Sequence, residues 1–249
     1  GERELADHHN GRNGTGMRIL ALETAAKAVS AAVTEDGKVL ASAYQDTGLT
    51  HSRTLMPLVE LLLRNTGMTA ADLDAVAVSA GPGSFTGVRI GVSAAKGLAW
   101  AADKPCVSVS TLAALARNAA FADGLVICAM DARRQQVYNA VFEARDGALT
   151  RLTEDRAIAL ADLAEELRGD PRPKTVLGDG GRMTYDFLTA AGVPCRLAPP
   201  HLVKENAVSV ALEAEDTVRA GGLVTAQELA PVYLRPPQAE RLRREKLNG

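Results

Sequence analysis

Two acidic residues occupy corresponding positions in the two halves of the chain, each at the end of an apolar segment. Glu23 ends the segment Met17–Glu23, and Asp131 directly follows the segment Leu125–Met130. A short turn comes after each acid. A carboxylate in this position can coordinate a metal–nucleotide complex in a cleft, and it can equally accept hydrogen bonds from the N–H groups of its own turn. The residues themselves leave both roles open.

A glycine-rich turn, Gly81-Pro82-Gly83, connects a predicted strand to a predicted helix. The strand is the apolar run Ala75–Ser79, and Ser84 or Thr86 is the candidate N-cap of a helix that ends near Trp100. Strand, tight turn and helix aim backbone N–H groups at an anion. Because the turn lacks the Lys-Ser/Thr ending of a P-loop, tight packing at a strand–helix corner is favoured over a phosphate cradle.

Small residues recur at every fourth position of this helix, at Gly87, Gly91 and Ala95. Glycine inside a helix costs up to about 1 kcal/mol relative to alanine, so close approach of another element is expected. The preceding helix, from His51 to about Asn65, is apolar around most of its circumference, more than one core face uses. Together these features favour an interface with another chain over packing on the chain's own sheet. The predicted interface residues are His51, Leu55, Met56, Val59, Leu62, Leu63, Gly87, Val88, Gly91 and Ala95.

The elements that position these residues occur in the same order twice. Each half contains a strand, an acid, a turn, two more strands joined by Asp-Gly, a helix, a strand, a glycine turn and a helix. This repetition predicts two similar α/β lobes, each a mixed sheet flanked by helices, with a cleft between them. The predicted bounds are 17–120 and 121–235 for the lobes, the second of which ends with a helix at Ala207–Ala220. Residues 236–249 are predicted to form a charged, partly disordered tail on the surface.

Composition narrows the class of protein. Residues 1–16 are polar and aperiodic, and are interpreted as a remnant of cloning ahead of Met17, with a native extension as the alternative. Hydrophobic residues make up 47% and charged residues 23%, which is typical of a globular protein, and a net charge of −2 argues against a chain that grips nucleic acid alone. No apolar run is long enough to span a membrane. Scattered cysteines indicate buried, reduced thiols and a cytoplasmic protein; they are Cys106, Cys128 and Cys195.

Five stretches resemble the bacterial TsaB (YeaZ) family, a branch of the actin, Hsp70 and sugar-kinase superfamily. They are Ile19–Ala25, Gly81–Gly91, Ala95–Ala99, Met130–Arg133 and Pro231–Arg235. The resemblance implies two ribonuclease-H-like lobes of the actin/Hsp70 type. It also implies that the chain acts with two partners. One is a TsaD-like enzyme, which performs the transfer from threonylcarbamoyl-adenylate, and the other is a TsaE-like ATPase. Together these make threonylcarbamoyladenosine beside the anticodon of certain tRNAs.

The metal and nucleotide motifs of active relatives are altered here. TsaD-type enzymes have a His-x-x-x-His pair that can hold a metal, whereas this chain has Thr111 and Leu115. Active ATPases have Asp-x-Gly at the first turn, whereas Ala25 and Ala26 follow the acid here and obstruct a close backbone approach. The resemblance therefore implies no catalytic metal and only weak nucleotide candidates. These are Glu23, Thr24, Asp131, Gly178, Gly180 and Gly181.

The favoured function is a non-catalytic scaffold that binds a TsaD-like enzyme through the helices at His51–Arg64 and Ser84–Trp100. The chain is expected to form a homodimer when alone and to reach tRNA through the complex. No stoichiometric cofactor is expected, and ATP or ADP at a partner interface stays open. Arg133-Arg134 is interpreted as a solvated turn, with phosphate or tRNA contact as the alternative. Rival functions are a stand-alone phosphotransferase or ATPase and, on weaker grounds, a metallopeptidase.

Overall fold

The computed structural model describes residues 16–235 and 238–248, which form two lobes, each built on a mixed β-sheet. The strands of the first sheet are β1 (Arg18–Glu23), β2 (Val29–Glu35), β3 (Lys38–Gln45), β4 (Ala75–Gly81) and β5 (Cys106–Ser110). Their order across the sheet is β3-β2-β1-β4-β5. The first three strands form an antiparallel meander, and β4 and β5 run parallel to β1.

The second sheet repeats this arrangement. Its strands are β6 (Gly124–Asp131), β7 (Gln136–Arg145), β8 (Ala148–Arg151), β9 (Arg156–Ala159), β10 (Lys174–Leu177) and β11 (Arg196–Leu197). The order is β11-β10-β6-β7-β8, with β9 paired to β7, and β10 and β11 run parallel to β6. Equivalent strands therefore occupy equivalent positions in both sheets, and the predicted duplication is confirmed.

Helices cover both faces of the first sheet. The helices of the chain are α1 (His51–Asn65), α2 (Phe85–Ala102), α3 (Thr111–Ala116), α4 (Leu160–Leu167), α5 (Gly181–Ala190), α6 (Ala207–Arg219) and α7 (Gln238–Leu247). Successive strand residues point to opposite faces, so Leu20 and Leu22 join the core beneath α1 and α2, whereas Ile19 and Ala21 join the core beneath α6. The first sheet is consequently buried between two helical layers.

Helix α6 belongs to the first lobe, although it follows the second lobe in sequence. Val210, Ala211 and Ala214 pack against β1, β2 and β4, and the Ala207 amide donates to the Ser30 hydroxyl at 2.9 Å. The predicted division into 17–120 and 121–235 therefore needs correction, because the chain returns to the first lobe near residue 207. The apolar face of α6 could cover either sheet, and the sequence does not say which.

Two further features differ from the sequence prediction. The first is strand β9, which is unforeseen. The charged tail is helical over Gln238–Leu247, where a partly disordered segment was expected, while residues 236, 237 and 249 lie outside the described residues, as does nearly all of the 1–16 leader. Within the described ranges, no helix has the length and apolar character needed to cross a membrane.

Candidate functional site

A cleft of about 740 Å³ lies between the two lobes. Its walls come from the turns that follow β1 and β6, the glycine corner before α2, the start of α1 and a late segment of the chain. The lining residues include Ala25, Ala26, Lys27, His51, Pro82, Gly83, Ser84, Phe85, Thr86, Met130, Asp131, Ala132, Arg133, Tyr138, Asp179, Tyr233 and Arg235. The predicted cleft is therefore present, and the turns that follow Glu23 and Met130 form part of its walls.

The first turn is closed on itself. Glu23 is buried, and its carboxylate accepts hydrogen bonds from the Ala25 amide at 2.7 Å and from the Ser79 hydroxyl. The Ser84 amide donates to the Ala25 carbonyl at 2.7 Å. The Ala25 and Ser84 amides are therefore already hydrogen-bonded and are not available to a phosphate. Because Glu23 accepts from an amide of its own turn, it is a turn acid here.

The glycine corner is a packing feature, as the sequence favours. A Cβ on Gly83 would lie 2.5 Å from the Ala25 carbonyl oxygen. Gly81 has φ 130°, and a Cβ there would collide with the Val232 carbonyl. Both glycines are needed because other backbone segments press directly on the corner.

The second turn is also self-bonded, but it holds an unusual backbone. Asp131 accepts a hydrogen bond from the Arg133 amide at 2.8 Å, so it too is a turn acid. Arg133, Arg134 and Gln135 follow in the left-handed region with φ of 69°, 53° and 60°. Non-glycine residues rarely adopt this conformation and cluster at functional sites when they do. The turn holds Arg133 at the cleft wall.

Three carboxylates lie close together at the cleft: Glu23 and Glu205 are buried, and Asp179 is half-buried and lines the cleft. Burial raises the pKa of Glu23 to about 7, against the opposing effect of its hydrogen bonds, and it also raises the pKa of Asp179. Burial, followed by the negative charges of Asp179 and Glu23, raises the pKa of Glu205 to about 8. Glu205 accepts from the Asp179 amide at 3.0 Å, and its second oxygen has no partner among the described residues.

The glycines of the second lobe pack against their own strand. A Cβ on Gly178 would overlap the Ala129 carbonyl, and one on Gly180 would lie 2.8 Å from the Asp131 amide nitrogen. Gly181 begins α5. Gly178 and Gly180 let the loop approach β6, which accounts for these two glycines without a bound nucleotide. Thr24 is buried, donates to the Gly87 carbonyl at 2.6 Å and is likewise occupied.

A late segment crosses the mouth of the cleft from one lobe to the other. The Val232 amide donates to the Ala80 carbonyl at 2.7 Å in the first lobe, and Tyr233 stacks on Phe85 with ring centroids 5.1 Å apart. Arg235 then donates to the Ala132 carbonyl at 2.8 Å in the second lobe. We call residues 231–235 the crossing segment. The sequence showed this stretch only as part of the family resemblance.

The predicted interface residues are mostly enclosed by their own chain. Leu55, Val59, Leu62, Gly87, Val88, Gly91 and Ala95 are all buried. A Cβ on Gly91 would collide with the Thr24 hydroxyl, and one on Gly87 with the Thr24 carbonyl. The stripe of small residues is thus explained by close packing on β1 and its turn, and this correction removes it as an argument for a second chain. His51, Met56 and Leu63 keep partial exposure.

The outer faces of the same helices remain exposed. Trp100 is 75% exposed and Leu61 is 38% exposed, while a Cβ on Gly97 would meet nothing within 4 Å. Five partly buried apolar side chains of α1 and α2 pack against the core: Met56, Leu63, Ile90, Ala94 and Leu98. We call Leu61, Trp100 and these five residues the outer α1–α2 surface.

The positions expected to carry a metal in TsaD-type enzymes are closed. Thr111 and Leu115 lie on α3 and are buried. The Nε2–H of His51 donates to the Ala26 carbonyl at 2.7 Å, so this side chain is bonded to the first turn. Among residues 16–235 and 238–248, no group of three or more His, Cys, Asp or Glu side chains is arranged to hold a metal ion.

Comparison with known proteins gives consistent matches across the chain. The family model described as TsaD, tRNA N6-adenosine threonylcarbamoyltransferase, matches residues 45–212. The tRNA threonylcarbamoyladenosine biosynthesis protein TsaB of Bacillus subtilis is 35% identical over 90% of this chain and 96% of its own length. The Escherichia coli protein of the same name is 33% identical, over 88% and 95% respectively.

Solved structures agree with these matches. A Pseudomonas aeruginosa protein described as similar to peptidase YEAZ superposes with a TM-score of 0.77 and 29% identity, covering 88% of this chain and 100% of the other. A second structure, described as YeaZ from the same organism, has a TM-score of 0.73 at 29% identity and the same coverages.

Two similar lobes around a cleft, each a mixed β-sheet flanked by helices, define an α/β fold class. Within that class, the sequence matches extend over nearly the whole described chain. The chain belongs to the TsaB family.

Proposed function

We propose that this protein acts in threonylcarbamoyladenosine biosynthesis as a non-catalytic partner of a TsaD-like enzyme. The names of its relatives support the pathway. The observation that supports the non-catalytic role is the closed state of both turns, whose carboxylates and several of whose N–H groups bond to each other. A partner of this kind works by binding one conformation of the enzyme better than another.

The outer α1–α2 surface is the proposed contact with the enzyme, and with a second copy when the protein is alone. This surface replaces the mostly buried residues that the sequence predicted as the interface. Both helices begin at the cleft, where His51 and Phe85 line the wall, so a partner docked on them would also reach the cleft mouth. An exposed tryptophan is typical of an interface core.

The superfamily's ATP site does not fit the residues present. Ala25 and Ala26 stand at the first turn, and the amides nearest to it are bonded to Glu23 and to the Ala25 carbonyl. We propose that the isolated chain binds no nucleotide stoichiometrically, and that ATP or ADP enters only at an interface with the enzyme, where a TsaE-like ATPase also joins.

The test is reconstitution of tRNA modification with a purified TsaD-like enzyme, with and without this protein. Trp100→Glu and Leu61→Glu are expected to abolish the stimulation and weaken enzyme binding at least about tenfold in ultracentrifugation. Phe121→Glu and Leu152→Glu are matched controls, because both side chains are similarly exposed but lie outside α1 and α2. Full activity of Trp100→Glu would refute the proposed contact.

The rival functions predict different results for the pure protein. A phosphotransferase or ATPase would bind ATP and Mg²⁺ at micromolar concentration with turnover, which calorimetry and phosphate release detect. A metallopeptidase would retain a stoichiometric metal ion after purification, which elemental analysis detects. Neither is favoured by a specific feature of the site.

A further inference from the structure

We propose that the mouth of the cleft is a binding site for single-stranded RNA, formed by cationic side chains of both lobes and the exposed Phe85–Tyr233 pair. This inference rests on the proposed function, which brings the protein to a tRNA. It differs from that function in giving this chain its own direct RNA contact.

Cationic side chains collect at the cleft without carboxylate partners. Lys27 and Arg133 line the cleft from opposite lobes, and Arg235 lines it from the crossing segment. Arg134 is exposed beside Arg133, and Arg89 lies over the Phe85 ring at 5.1 Å. None of these five forms a salt bridge within the described residues.

Arginines elsewhere on the molecule are usually paired. Arg117 binds Glu213 and Asp216, and Arg172 binds Glu143 and Asp170. Arg156 forms a salt bridge with Glu166. Six further arginines each form a salt bridge with a nearby carboxylate: Arg18, Arg145, Arg151, Arg168, Arg182 and Arg219. The overall charge of −2 conceals a local surplus of positive charge at the cleft, where Lys27, Arg133 and Arg235 outnumber the lining carboxylates of Asp131 and Asp179. Such a surplus is the electrostatic footprint expected of a phosphate-binding surface.

Aromatic side chains lie among these cations. Phe85 is 36% exposed and Tyr233 is 42% exposed, and the two rings stack on one another at the cleft wall. Stacked, half-exposed aromatic rings beside arginine are the platform on which single-stranded bases stack without sequence preference. An apolar protein partner would explain the rings but not the unpaired cations.

The backbone also indicates a fixed site. Three successive residues, Arg133 to Gln135, are held in the left-handed region, which costs roughly 1–2 kcal/mol per residue. Asp131 anchors this turn by accepting from the Arg133 amide. Its exposed carboxylate would repel a phosphate placed directly upon it, but it can accept a hydrogen bond from a ribose 2′-hydroxyl, the group that distinguishes RNA from DNA.

The experiment is fluorescence anisotropy with an unmodified tRNA transcript and with single-stranded RNA and DNA of one sequence, over a range of salt concentrations. We expect the wild-type protein to prefer RNA. Arg133→Glu/Arg134→Glu should bind RNA at least about tenfold more weakly, with a shallower dependence on salt. Tyr233→Leu should weaken all sequences alike, because it removes a stacking surface.

Arg182→Glu is the matched control, since Arg182 is exposed and lies over the Tyr185 ring on α5 outside the cleft. It should retain wild-type affinity for RNA. Arg133→Lys/Arg134→Lys should recover most of the binding, which tests charge rather than folding of the turn. The proposal is overturned if wild type shows no preference for RNA, or if the glutamate variants at residues 133 and 134 and at residue 182 bind alike.

Enzyme binding is measured on the same variants. The Arg133→Glu/Arg134→Glu protein should keep its affinity for the TsaD-like enzyme, and Trp100→Glu should keep its affinity for RNA. RNA binding without enzyme binding by the wild type would leave this inference standing while refuting the proposed function. Enzyme binding by the wild type without any RNA binding would refute this inference and leave the proposed function standing.

Discussion

Glu205→Gln is expected to stabilise the isolated protein at neutral pH and to have almost no effect near pH 4.5. The Glu205 side chain is buried, and its pKa rises from 4.5 to about 8 because burial and the charges of Asp179 and Glu23 disfavour the ionised form. A carboxyl whose pKa is raised in the folded state binds its proton more tightly there than in the unfolded chain. The free energy of unfolding therefore falls as pH rises from about 4.5 to about 8.

The magnitude follows from the proton that Glu205 must take up on folding. At pH 7 this costs about 3 kcal/mol, at about 1.4 kcal/mol per pH unit above the unfolded pKa. Glutamine needs no proton and keeps the carbonyl oxygen that accepts from the Asp179 amide. Glu205→Gln should therefore raise the melting temperature by about 6–12 °C at pH 7, and the gain should vanish towards pH 4.5.

The assay is thermal unfolding of both proteins at intervals between pH 4.5 and 8.5. Glu154→Gln is the control, because Glu154 is exposed and makes no hydrogen bond or salt bridge within the described chain. Its melting curve should follow the wild type at every pH. A Glu205→Gln protein that is no more stable than wild type at pH 7, or equally stabilised at every pH, would refute the argument from burial.

Three further predictions concern the helices and the crossing segment. Gly91→Ala should lower the free energy of unfolding by about 1–3 kcal/mol, because the added Cβ overlaps the buried Thr24 hydroxyl. Gly97→Ala should raise the free energy of unfolding by about 0.5–1 kcal/mol, because nothing lies near that position. Equal effects of the two substitutions in urea unfolding would contradict the packing described for Gly91. Arg235→Ala should speed amide hydrogen exchange in residues 232–235, since the bond of Arg235 to the second lobe is lost; unchanged exchange would mean that this bond does not hold the segment. Ser84→Ala should cost about 1 kcal/mol in the same unfolding assay, because the Ser84 hydroxyl caps α2 at 3.2 Å.

The order of elements was predictable because local pattern determines it. The bounds predicted for the helix from His51 to about Asn65 coincide with those of α1. Strand β9 was not predictable, because four residues beginning with arginine carry too little alternation. The helix at Gln238–Leu247 was missed because its charged sequence has no apolar stripe to indicate it.

The candidate site was predictable only in part, because it depends on contacts between distant residues. The sequence indicated a cleft between the lobes and left open whether Glu23 and Asp131 flank a metal–nucleotide there or are turn acids. The hydrogen bonds from the Ala25 and Arg133 amides show both to be turn acids. Gly91 looked available to a partner because nothing in the sequence signals that Thr24 presses on it. Glu205 follows a lysine in a loop, a pattern typical of solvated surface, so its burial had no local signal.

The return of α6 to the first lobe has a consequence for synthesis of the chain on the ribosome. One face of the first sheet, which includes Ile19, Ala21, Ala32, Ala75 and Ala77, is covered by α6. These strands emerge early, but their cover is translated only after the whole second sheet. Nascent chains shorter than about 220 residues would expose an apolar sheet face to solvent, which is the kind of surface that chaperones capture. Arresting translation before and after α6 and comparing chaperone cross-linking would reveal this interval.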